Sequence, residues 1–362
     1  MTTGIIYDDI YLQHKIGTHV ETHERLIEIM DFLEKNNILN NPNFKLIKPR
    51  KATVDQLKYV HTDSLINEIR EISDLAEKTG YVQSLDLDTL VSAKTYEASL
   101  YSVGGNLQGI DEILKGNIKN GFAAVRPPGH HSNSFKCAGF CIFNNVAIGA
   151  EYLCREKNIK KIVIIDWDCH HGNGTQDIFF NGSENGEIIL FNSHQDGRTL
   201  YPGSGFINEI GSGKGEGKII NFPMPPKAAE DIIISYFNEI ISPVCNEFKP
   251  EFILISAGFD THWTDRLTNM GWTFQAPANY LKEIKKIAEK YANGRILITL
   301  EGGYELDKQA KSFYNCLRVL NDEEDKLIQE KPQSSKKEVL DYVNRKLIPE
   351  LKDKLSKYWN CF

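Results

Sequence analysis

Short, unbroken apolar runs recur along the chain at residues 5–7, 45–47, 122–125, 162–165, 188–191, 219–222, 252–255 and 296–300. A strand with one wet face alternates apolar and polar residues. An unbroken run fits a strand covered on both faces, as in a parallel sheet. Most runs are separated by segments with helical spacing, at 22–36, 54–78, 92–115, 144–157, 229–248 and 278–292. The pattern predicts an α/β fold with about eight parallel strands and helices between them. From Asn321 onward the chain becomes charged, breaks at Pro332-Gln-Ser-Ser, and then places Val339, Tyr342, Val343, Leu347, Leu351 and Leu355 at helical spacing. We therefore expect a main domain over residues 1–320 and a charged helical extension over 321–362 that packs on it.

In open parallel sheets ligands bind outside the carboxyl ends of the strands, near a switch in strand order. Polar breaks follow the predicted strands at such places: Arg126-Pro-Pro-Gly-His130-His131, Asp166 to Gly174, Ser193-His194, Ser256-Ala-Gly-Phe-Asp260 and Glu301-Gly-Gly-Tyr304. The densest reads Asp166-Trp-Asp168-Cys-His170-His171-Gly-Asn173-Gly. Alternate residues of an extended segment point the same way, so Asp168 and His170 can face one ion. Asp166 and His171 are left for supporting roles, and the pair still needs a third ligand. Oxygen and imidazole donors suit Zn²⁺, and Fe²⁺ or Mn²⁺ would fit the same set. A buried ion-pair cluster is the plain alternative, but so many polar groups at one strand end are costly to bury.

Composition narrows the function. The 362 residues are 41% hydrophobic, enough for a substantial core, and the formal charge is -7. An acidic balance with no basic stripe argues against a nucleic-acid partner held through phosphates. No apolar run is long enough to cross a membrane, and the amino terminus lacks the basic-then-apolar pattern of a signal peptide, so we expect a cytoplasmic protein. Seven cysteines at irregular spacing fit a reducing compartment, and Cys137 and Cys141 have no second pair to form a zinc knuckle. The glycine-rich run Gly211 to Gly217 lacks the strand-loop-helix setting of a phosphate loop and reads as a flexible surface turn. For His14, His23 and His61 the expectation is a surface or structural imidazole.

The motifs RPPGHH, GFCIFNN (139–145), DWDCHHGNGTQ (166–176), YPGSG (201–205), SAGFD and LEGGY occur in an order that resembles the histone deacetylase superfamily, which includes acetylpolyamine amidohydrolases. The resemblance runs from about residue 7 to residue 320 and implies the arginase-deacetylase fold, a single eight-stranded parallel sheet flanked by helices on both faces. It implies that Asp168, His170 and Asp260 are the metal ligands, that His131 acts as general base and then acid, and that His130 tunes charge beside it. By the same resemblance Asp166 orients His130, and Asn173 stands beside His131 where some members carry aspartate. The asparagine form is similar to class II members, and it predicts a different basicity for His131. Tyr304 matches the tyrosine that donates a hydrogen bond to the developing oxyanion. The two glycines before it are expected to free the loop to swing that tyrosine inward.

The resemblance also implies a narrow channel for an acyl-lysine stem, with Gly139 and Phe140 on one side, Tyr201 on another and Asp88 gripping the substrate backbone at the rim. Leu267 stands where polyamine-selective relatives carry glutamate. A structural K⁺ or Na⁺ is implied at the main-chain oxygens of Asp166, Asp168 and His170, with Asn192 and Ser193. Val20 interrupts the usual His-Pro-Glu turn while His19, Glu21 and Arg25 persist, and His262-Trp263 are expected to shape the pocket mouth. The expected function is zinc-dependent removal of an acetyl or short acyl group from the ε-amine of lysine in proteins. The alternatives are deacetylation of a polyamine or other small acylated amine, and a non-catalytic acyl-lysine binding module. A binuclear arginase-like hydrolase would need carboxylates beside His131 that the sequence does not supply.

Overall fold

The computed structural model describes residues 2–362. Its strands are β1 (Thr3–Ile6), β2 (Phe44–Ile47), β3 (Gln83–Ser84), β4 (Leu90–Val91), β5 (Asn120–Ala123), β6 (Lys161–Asp166), β7 (Glu187–Gln195), β8 (Ile219–Met224), β9 (Phe252–Ala257) and β10 (Ile296–Leu300). Each apolar run in the sequence became one strand of an eight-stranded sheet ordered β2-β1-β5-β10-β9-β6-β7-β8. Every pairing in it is parallel. Strands β5, β8, β9 and β10 are buried at every residue, so helices cover both faces and the runs need no polar alternation. The remaining pair, β3 and β4, forms a small antiparallel hairpin that the apolar pattern did not announce.

From β6 the chain steps outward through β7 to β8, then returns to β9 on the other side of β6 and continues to β10. The order therefore reverses between β6 and β9, which opens a crevice at their carboxyl ends. The breaks after β5, β10, β9 and β6 belong to four adjacent strands and converge there.

Helical segments differ from expectation: the short helix Asn173–Phe179 was not anticipated, and two other places depart as well. The segment 54–78 is two helices, Val54–Leu57 and Asp63–Thr79. Thr62 caps the second through Leu65 N at 3.3 Å, and the break lets the buried His61 bond Asn133 O at 2.9 Å and accept from Asn144 N at 2.9 Å. The helix Leu306–Leu320, absent from the sequence reading, packs against Glu24–Lys35, and its Phe313 stacks on Phe122 with ring centroids 3.9 Å apart.

Beyond residue 320 the chain crosses the body and ends in continuous helical turns from Lys337 to Leu355. Val343, Leu347, Ile348, Leu351 and Leu355 are buried in the same apolar cluster as the sheet. The glycine-rich run 211–217 is an ordered turn: Trp359 Nε1 donates to Gly217 O at 2.8 Å, and Tyr358 packs on Gly217. Gly217 lets the carboxyl terminus pack closely, and Gly211 and Gly215 allow close approach of local backbone.

Candidate active site

After β6 the side chains keep alternating. Trp167 is buried toward the core against Tyr280, with ring centroids 5.6 Å apart. Asp166, Asp168 and His170 point the other way, and Asp260 reaches the same place from the end of β9. Potential ligand atoms of Asp168, His170 and Asp260 all lie within 4.8 Å of one another, and all three residues are buried. Backbone amides hold the carboxylates: His170 N donates to Asp168 at 2.9 Å, Gly302 N to Asp168 at 2.8 Å and Cys169 N to Asp260 at 2.9 Å. A Cβ on Gly302 would lie 2.6 Å from Asp168 Oδ2 and 2.7 Å from Asp260 Oδ2, so only glycine lets that amide approach.

This donor set fits a divalent cation. Burial alone would depress His170, yet hydrogen bonds to Asp168 and Asp260 push it up to about 10, so the cluster favours positive charge at this point. His130, Cys141 and Glu301 form a second group of possible donors. There Glu301 already accepts from Gly129 N at 2.7 Å and His130 N at 3.2 Å, and His130 is paired with Asp166, so that group is a structural one.

The two imidazoles of the Arg126–His131 break lie beside the cluster, ring centroids 4.0 Å apart. His130 Nδ1 meets Asp166 Oδ2 at 3.0 Å and His131 Nδ1 meets Asn173 Oδ1 at 2.7 Å. Asn173 offers its oxygen, so we assign the proton of His131 to Nδ1, which leaves Nε2 as an acceptor. Their environments push them apart. Burial would lower His130, but Asp168 and Asp166 outweigh it and raise it to about 10. Burial, then the neighbouring His130 and His170, hold His131 well below its ordinary value.

A pocket of about 230 Å³ leads to these groups. The substrate-channel residues expected from the sequence, Asp88, Gly139, Phe140, Tyr201 and Leu267, all line it with His130, His131, His170 and Tyr304. Leu200 lines it too and was not foreseen. The Tyr201 ring stands edge-on to His131 at 5.1 Å, and Phe140 edge-on to Tyr304 at 5.9 Å. Gly139 has φ +53°, and a Cβ there would collide with the His131 ring. His262 and Trp263 are not among the residues that line the pocket, contrary to expectation: both bond Glu330.

The main chain of the Glu301–Tyr304 loop is held by Arg25, and Gly303 has φ +116°. Arg25 donates to Glu301 O at 2.5 Å and to Gly303 O at 2.8 Å, and its guanidinium lies 5.2 Å from the Tyr304 ring centroid. Arg25 and Arg126 share the buried Glu21. Burial would raise that carboxyl, but Arg126 and Arg25 hold it down at about 2. His14 belongs to the same cluster as a buried structural imidazole, 2.7 Å from Thr95 Oγ1. Asp265 is the residue that sequence reasoning missed: its oxygens accept from Leu267 N at 2.9 Å and Tyr304 N at 3.0 Å. Its spacing from Asp260 gives no hint of this, because the contact to Tyr304 crosses 39 residues.

Comparison with known proteins agrees with this geometry. Residues 19–320 match the model of the histone deacetylase domain. A probable deacetylase of Archaeoglobus fulgidus is 35% identical over 372 residues, covering 100% of both chains. The chloroplastic histone deacetylase 14 of Arabidopsis thaliana is 35% identical over 322 residues, covering 85% of this chain and 74% of its own. The crystal structure of the HDA15 HD domain superposes with a TM-score of 0.83 at 30% identity and 98% coverage of each chain. With the fold, the order of its motifs and the length of the match in agreement, the chain belongs to the histone deacetylase family, whose members are hydrolases.

Proposed function

We propose that the protein is a zinc-dependent amidohydrolase that removes an acetyl or short acyl group from the ε-amine of lysine in proteins. The observation that carries this reading is a pocket lined by Phe140, Tyr201, His131, His170 and Tyr304, with potential ligand atoms of Asp168 and Asp260 within 4.8 Å of that of His170. An aromatic slot suits the four methylenes of a lysine stem. Asp88 at its mouth suits a backbone or ammonium donor of the substrate, and apolar Leu267 beside it gives no anchor for a second distant amine. Asp168, His170 and Asp260 would hold the ion, which would supply Lewis acidity to acidify a water and polarise an acyl carbonyl.

This chain's own groups move the protons. His131 Nε2 takes one from the attacking water as the new C–O bond forms, while Tyr304 donates a hydrogen bond to the carbonyl oxygen as it gains negative charge. His131 then passes the proton to the departing nitrogen as the C–N bond breaks, which yields a carboxylic acid and a free amine. Asp166 holds His130 as a cation beside the developing charge, and Asn173 fixes the His131 tautomer. A K⁺ or Na⁺ at the main-chain oxygens of Asp166, Asp168 and His170, with Asn192 and Ser193, belongs to the same proposal as a structural ion. Seven free thiols support a reducing, cytoplasmic setting.

The test compares amine release from an acetyl-lysine peptide and from acetylated putrescine by zinc-loaded enzyme. Peptide turnover that falls about 10²- to 10³-fold in Tyr304→Phe supports the proposal. Turnover of the small amine alone moves the function to polyamine-like substrates. Peptide binding by metal-loaded protein without any turnover makes it a binding module.

A further inference from the structure

The carboxyl-terminal extension crosses the molecule as a strap fixed on both sides. At one end Ile328 N donates to Asn315 Oδ1 at 2.9 Å and Asn315 Nδ2 returns a bond to Ile328 O at 3.0 Å. At the other, Ser335 Oγ bonds Asp231 Oδ1 at 2.5 Å and accepts from Ala229 N at 2.8 Å. Between these anchors Glu330 turns inward and takes three donors from one loop. They are His262 Nε2 at 3.2 Å, Trp263 Nε1 at 3.1 Å and Phe274 N at 2.8 Å. Thr264 N donates to His262 Nδ1 at 3.2 Å, so that nitrogen is an acceptor and Nε2 carries the hydrogen that Glu330 receives.

The loop that Glu330 grips begins immediately after Asp260. It closes on itself at its neck, where Trp263 N donates to Trp272 O at 2.9 Å and Trp272 N to Thr261 O at 3.3 Å. Glu330 sits on that neck, and the lobe beyond it carries Asp265 and Leu267. Asp265 then joins the two functional parts of the pocket: one oxygen holds Leu267 N at its wall and the other holds Tyr304 N at its end. From strap to tyrosine the path is a continuous set of hydrogen bonds: Glu330, the neck, Asp265, Tyr304.

We propose that Glu330 of the carboxyl-terminal strap is a positioning residue for the reaction, acting through the neck of the 261–274 loop and Asp265 to set Tyr304 and Leu267. Residues beyond 320 lie outside the matched family domain, so this assigns the extension a role in the active site rather than in packing alone. The inference rests on the proposed role of Tyr304 at the acyl carbonyl. A group held within about 1 Å of its working position is worth up to about a hundredfold in rate, and that sets the scale of the effect.

The test uses the full-length chain with Glu330→Ala and Glu330→Gln, each also combined with Tyr304→Phe. We expect Glu330→Ala to lower kcat by about ten- to a hundredfold with bound metal unchanged. Glu330→Gln, which keeps one acceptor oxygen for three donors, falls between it and the parent. In the Tyr304→Phe background the same change has little further effect on kcat. Equal losses in both backgrounds overturn the proposal, because Glu330 then acts elsewhere. Amide hydrogen exchange gives a second readout that needs no substrate. The strap predicts faster exchange at Leu267 and Tyr304 in Glu330→Ala, with Gly302 unchanged because its amide is held by Asp168. Exchange altered only at residues 328–336 also overturns it. If the parent enzyme hydrolyses no acylated amine, the functional reading fails, while the exchange data still decide whether the strap sets the loop.

Discussion

Asn173 decides how His131 behaves, and it does so with one atom. Its amide oxygen receives the Nδ1 hydrogen at 2.7 Å but carries no charge to stabilise an imidazolium. Burial, with His130 and His170 nearby, already holds His131 well below its ordinary value. A carboxylate at the same distance favours the protonated ring, so Asn173→Asp raises the His131 pKa. The acid limb of the kcat/KM profile is therefore expected to move to higher pH, since the base is lost to protonation earlier as pH falls; superimposed limbs would exclude His131 as the base. At Gly139 the constraint is steric. Alanine there must keep φ +53° and place its Cβ against the His131 ring. We expect Gly139→Ala to lower kcat by about a hundredfold while metal binding persists, as steady-state kinetics beside metal analysis would show.

At the scale of elements, the parallel strands were legible because burial on both faces leaves an unbroken apolar run with no competing pattern. Helix boundaries were less so. The break at Thr62 is visible only when His61 is seen bonding Asn133 and Asn144, partners 72 and 83 residues away. The final helix was legible from Leu347, Leu351 and Leu355, and the structure buries them in the core shared with the sheet. Leu351 is fully buried, so Leu351→Ala is expected to cost about 2–5 kcal/mol. Chemical denaturation should show that loss in the same transition as the main body; a separate early transition would mean the extension folds independently.

For the whole molecule, the sheet order brings the carboxyl ends of β5, β10, β9 and β6 side by side, and the proposed metal ligands come from two of them. Dialysis against a chelator is expected to abolish turnover while far-UV circular dichroism persists, because the sheet core is independent of the ligands. Zn²⁺ should restore activity and raise Tm, since an ion at a hundred times its Kd stabilises the native state by about 2.7 kcal/mol. Loss of the far-UV signal on chelation would make the metal structural. The sequence by itself determined the α/β class, the eight strands and the chemistry-bearing motifs, because apolar periodicity and dense polar breaks are local signals. By spacing alone it yielded Asp168 and His170 but no third ligand, since Asp260 lies 90 residues on and only the adjacency of β6 and β9 unites them. Only the tertiary structure decided that Arg25 holds the main chain of the Tyr304 loop, that Asp265 ties Leu267 to Tyr304, and that Glu330 reaches back to His262. Those contacts join segments distant in the chain through single hydrogen bonds, and no periodicity in a sequence records where a folded backbone will offer its amides.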